Sequence, residues 1–152
     1  MNRAIAFGVL WLCAAVLALT GCSGMGSVES TPTPSLYQQL GGMNSMNKLA
    51  GDVVNASMKD PRFSGLLRDV DPATASAKIA NQLCAALGGG CARPYSDAQI
   101  DAASLHMTLA QRMAVKDNFT SSLNSLTSDP ALRDAVMRTL GSRIDSIVGA
   151  VK

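Results

Sequence analysis

Asp71-Pro72-Ala73-Thr74-Ala75-Ser76-Ala77-Lys78-Ile79-Ala80-Asn81-Gln82-Leu83-Cys84-Ala85-Ala86-Leu87-Gly88-Gly89-Gly90-Cys91 reads as a helix with its own start and stop. Asp71 offers an N-cap acceptor. Pro72 suits the first turn, where a missing N–H leaves nothing unpaired and the fixed φ is already helical. Ile79, Leu83 and Leu87 then recur every four residues on one apolar face, until the glycines stop the helix.

The same signals recur on either side. Asp129-Pro130 opens a long helix whose apolar stripe is Leu132, Val136, Leu140, Ile144 and Val148. Met43 to Lys59 makes a third helix, ended by Asp60-Pro61. Between the glycine turn and Asp129, Ser96 or Asp97 caps an apolar pattern through Ile100, Leu105 and Leu109, and a further piece holds Phe119, Leu123 and Leu126. Whether 96–127 is one helix or two stays open at this level. No stretch alternates apolar and polar residues over strand length. The expectation is a small all-α domain of four to six helices over residues 35–152, and its many alanines imply close helix approach.

Composition narrows the function classes. The chain has 152 residues, a length suited to one folded domain, with 13 Lys and Arg against 11 Asp and Glu and a net charge of +2. No polybasic field results, which argues against nucleic acid as a partner. A single histidine excludes a multi-His metal centre. The methionines read as core filler rather than a copper site, because the neighbours His106 and Met107 do not converge on one ion.

Residues 1–21 combine a basic start, an apolar run and small residues before a break, as a secretory signal peptide does. Leu19-Thr20-Gly21-Cys22 resembles the bacterial lipobox, which implies lipidation at Cys22, removal of 1–21 and a membrane-anchored, periplasm-facing protein. Ser23 in place of Asp favours the outer membrane of the bacterial envelope. Residues 22–34 are then the lipidated cysteine and a flexible Gly/Ser/Pro tether. In an oxidising compartment Cys84 and Cys91, across the glycine turn, are most economically a disulfide; a functional dithiol usually has the tighter Cys-x-x-Cys spacing.

Ser35-Leu36-Tyr37-Gln38-Gln39-Leu40-Gly41-Gly42 resembles the opening of the group I truncated haemoglobins. Asp60-Pro61-Arg62-Phe63 and Ala85-Ala86-Leu87-Gly88-Gly89 follow in the same register, and Pro94-Tyr95 matches the family's next turn after a slightly longer loop. The resemblance implies a two-over-two helical sandwich around a b-type haem (iron protoporphyrin IX), with O2, NO or CO bound at the iron. It makes His106 the axial ligand and places Val54, Phe63, Leu67, Ile79, Gln82, Leu83 and Phe119 around the cofactor.

This chain also departs from that family. Val53-Val54 stand where it has Phe-Tyr, and Leu67 replaces an aromatic wedge. Only Gln82 keeps a hydrogen-bonding group among the distal positions Ala75, Ile79 and Gln82. An apolar distal wall favours CO or NO over stable O2 binding, since bound dioxygen carries partial negative charge. It also leaves no acid, base or tyrosine for an enzymatic role. The intervals flanking His106 are longer than in the family. The alternative implied by these losses is a haem-free globin-fold lipoprotein acting as an interaction or structural module.

Overall fold

The computed structural model describes residues 33–63 and 65–151. The expected signal peptide, Cys22 and nearly all of the expected tether lie outside them. Among the described residues seven α-helices follow in order: α1 Leu36–Gln39, α2 Gly42–Lys59, α3 Pro72–Ala86, α4 Asp97–Leu105, α5 Leu109–Leu126, α6 Pro130–Leu140 and α7 Ile144–Gly149. Single 3-10 turns, Pro61–Phe63 and Gly141–Arg143, follow α2 and α6.

Caps place these elements. Asp71 accepts from the Thr74 N–H, and Asp129 from the N–H groups of Ala131 and Leu132. Ser35, Ser96 and Thr108 each form a reciprocal capping box with the glutamine three residues on. The segment 96–127 is therefore two helices. Its break falls at His106-Met107-Thr108, where α4 ends and the Thr108 box starts α5.

The long final helix expected from the sequence is interrupted. Gly141, at φ 50°, ends α6, and a 3-10 turn leads into α7. The stripe survives the interruption: Leu132, Val136, Leu140, Ile144 and Val148 are all buried. The tight turn keeps successive apolar residues on one side although the helical hydrogen bonding is broken.

The helices form two pairs. In the more extensive one, α2 presents Met46, Leu49, Ala50, Val53 and Val54 to the Ala75, Ile79, Ala80 and Leu83 face of α3. Ala50 and Ala80 are fully buried, and their small side chains suit a close approach of the two backbones. In the second pair α5 packs on α7, which also carries α4. α2 crosses α5 and joins the pairs through Ala114, Val115, Phe119 and Leu123. One apolar core runs through both.

Candidate functional site

The residues expected around a cofactor come from four places. Val54 is on α2, Phe63 on the 3-10 turn after it, and Leu67 in the following loop; Ile79, Gln82 and Leu83 are on α3, and Phe119 is on α5. All seven are buried, from 0% exposed at Leu83 and Phe119 to 7% at Leu67. The Gln82 side-chain Oε1 accepts the Tyr95 backbone N–H at 3.3 Å, and Gln82 also lines a cleft of about 250 Å³ with Ile100, Leu140 and Ile147.

His106 lies apart from them. It is the C-cap of α4, its N–H donates to the Ala103 carbonyl at 3.2 Å, and its side chain is exposed. It lines a cleft of about 420 Å³ with Leu66, Tyr95, Ala102, Ala103 and Met107. None of the seven wall residues lines that cleft.

A haem needs two apolar faces open to it and an imidazole directed at the iron between them. The residues present do not fit that requirement in this arrangement. The expected distal wall is buried, only Gln82 of it reaching a cleft, and the only imidazole lines a different cleft. The expected set is thus split between a buried wall and a histidine at the C-cap of α4.

Tyr95, read from the sequence only as part of a turn, is the residue next to His106 with unmet chemistry. Its side chain is 9% exposed and its hydroxyl is buried without a hydrogen-bond partner. Burial raises the phenol pKa above its ordinary value of 10.0. Lys78 Nζ lies 5.8 Å from the ring centroid, within cation–π range. The nearby cations do not gather at one point: Lys78 lies over Tyr95, Arg93 is paired with Asp97, and Arg112 and Lys116 are on α5. Among the described residues no three His, Cys, Asp or Glu side chains are grouped to hold a metal ion.

The cysteine reading agrees with the structure. Cys84 and Cys91 are disulfide-bonded with Cα atoms 5.7 Å apart, which fastens the last turn of α3 to the loop beyond the glycines. The turn leaves no spare room: a Cβ on Gly89 would lie 2.7 Å from the Tyr37 ring and run into the Cys84 sulfur.

No family model and no curated protein matches the chain. Solved structures do. The 2/2 hemoglobin of Synechococcus sp. PCC 7002, in the cyanomet state with covalently attached heme, superposes with a TM-score of 0.63 at 22% identity, over 75% of this chain and 98% of that one. The truncated hemoglobin of Tetrahymena pyriformis in its Fe(III) form gives 0.61 at 18% identity, over 70% and 92%. Helix order, pairing and these superpositions together establish that the chain has the two-over-two fold of the truncated haemoglobins.

Proposed function

We propose that this protein is a haem-free truncated-globin-fold module, held on the bacterial envelope by a lipid at Cys22 and facing the periplasm. One observation carries the reading. The seven side chains that would face a porphyrin are 0–7% exposed and packed into the protein's own core, while His106 lines a separate cleft. The lipobox-like Leu19-Thr20-Gly21-Cys22 supports the location, and the Cys84–Cys91 bond suits an oxidising compartment.

A second reading is favoured by a different observation. The partnerless Tyr95 hydroxyl beside His106, on a fold shared with proteins described in Fe(III) and cyanomet forms, supports a b-type haem held by His106 that binds O2, NO or CO. When bound, haem would supply the gas-binding iron; this chain would have to open the wall around Ile79 and Leu83 to admit it.

Haemin titration of the full chain in detergent micelles, beside His106→Ala, separates the readings. The module reading expects only the spectrum of loosely adsorbed haem, identical in the variant. A saturable Soret band at one haem per chain, lost or shifted in the variant, overturns it in favour of the haem protein.

A further inference from the structure

Two charged side chains in the α4–α5–α7 region, Asp145 buried and Arg112 part-buried, each hold a buried polar atom with no partner. Asp145 on α7 is 4% exposed, yet its Oδ1 accepts no hydrogen bond. Arg112 on α5 has a buried Nε–H that finds no acceptor. Both line one cleft of about 440 Å³. They do not satisfy each other, since no ion pair within 4.0 Å joins them, whereas Arg143 and Asp101 on the same cleft are engaged: Arg143 reaches Asp97 at 2.9 Å and Asp101 at 3.5 Å. A native fold pairs nearly all such groups, so two side chains of opposite charge that line one cavity and make no ion pair point to a ligand that completes both.

The rest of the wall defines that ligand. Lys116 lies one helical turn beyond Arg112 and adds a second cation. Leu109 and Met113, also one turn apart on α5, line the same cleft and are 66% and 55% exposed, an apolar strip left uncovered beside the charges. A simple anion would satisfy Arg112 and Lys116 but face the Asp145 carboxylate. A simple amine would do the reverse.

We propose that this cleft binds a free α-amino acid with an aliphatic side chain. Its ammonium group donates to Asp145, its carboxylate accepts from Arg112 and Lys116, and its side chain covers Leu109 and Met113. The cavity volume lies within the range of small-molecule sites. The cleft shares no residue with the one that His106 lines, so the assignment goes beyond the haem question and stands under either answer to it.

Calorimetric titration of the full chain in detergent micelles with L-leucine tests this, with 4-methylpentanoate and isoamylamine as analogues lacking the ammonium or the carboxylate. Leucine binds saturably at one per chain. Each analogue binds about tenfold or more weakly, because it leaves a buried charge unpaired. Asp145→Asn and Arg112→Gln each weaken leucine binding by about tenfold or more. The assignment is overturned by the absence of saturable heat at millimolar leucine, by 4-methylpentanoate binding as tightly as leucine, or by folded variants that bind like the parent. Should the buried variants fail to fold, exposed Lys116→Met carries the test: a severalfold loss supports the site, and unchanged affinity overturns it.

Discussion

Gly89 and Gly149 lie in different helix pairs, and a methyl group added at each would meet very different neighbours. At Gly89, beside α3, it would press on the Tyr37 ring at 2.7 Å and on the disulfide sulfur of Cys84. At Gly149, the end of α7, it would meet the Met107 sulfur at 2.6 Å, and a thioether can swing aside. The α2–α3 side is locked by a ring, a covalent bridge and a continuous apolar wall. The α4–α7 side has slack. Three clefts each touch both α4 and α7, Leu105 and Leu109 are exposed apolar residues, and Asp145 is buried unpaired. Such a division suits a scaffold that holds its shape on one side and offers binding surface on the other.

The largest test of this contrast is Phe63→Ala. Phe63 is 1% exposed within the closed wall, and its truncation should cost about 3–5 kcal/mol in denaturant unfolding. A loss under about 1 kcal/mol would mean that the wall is loosely packed and open to a cofactor after all. Reducing Cys84–Cys91 should cost about 2–3 kcal/mol, seen as a lower urea midpoint in the presence of dithiothreitol. Both cysteines free in unreduced, alkylated protein would remove the bridge from the account.

Next comes the glycine pair itself. Gly89→Ala should destabilise by about 1–3 kcal/mol and Gly149→Ala by less than about 1, measured as thermal shifts side by side. Equal costs would erase the distinction between the two regions. Asp145→Asn should act in the opposite sense and stabilise by about 1 kcal/mol, because it neutralises a buried carboxylate whose Oδ1 has no donor. Combined with weaker leucine binding, that gain would mark Asp145 as a residue kept for binding at a cost in stability.

The smallest expected effect is on pH dependence. Hydrogen bonds from Arg93 and Arg143 hold the Asp97 carboxyl below its ordinary 3.8, and Arg62 does the same for Asp60. A depressed carboxylate pKa contributes stability above the unfolded value and loses it as pH falls through the folded value. Stability should therefore be flat in these groups from neutrality to about pH 5 and decline below about pH 4. Asp97→Asn should shallow that decline only slightly, since the pair is solvent-exposed.

Much of the helical frame was legible in local signals. Asp71-Pro72 and Asp129-Pro130 each open a helix where expected, and the glycine turn ends α3 at Ala86. The stripe from Leu132 to Val148 concealed the break at Gly141, because its four-residue spacing continues across a residue whose φ of 50° no periodicity reveals. The candidate site was less legible. Val54, Ile79 and Leu83 do share a buried wall, but their burial is by one another. No spacing in the sequence distinguishes an apolar residue awaiting a cofactor from one that packs against the next helix. Asp145 carried a faint signal, an acid set directly between the apolar Ile144 and the Ser146-Ile147 step of a buried helix.

By itself the sequence determined the all-α class, the Asp-Pro helix starts, the glycine stop of α3 and the cysteine pair, since each depends on groups within a few residues of one another and their hydrogen bonds are formed locally. Tertiary structure alone decided that His106 lines a cleft that Val54, Ile79 and Leu83 do not reach, and that Arg112 and Asp145, 33 positions apart in the chain, share one cleft without pairing. Those outcomes depend on how α4 and α7 pack against α5. That packing is set by the volumes of side chains distant in sequence, which no local pattern records.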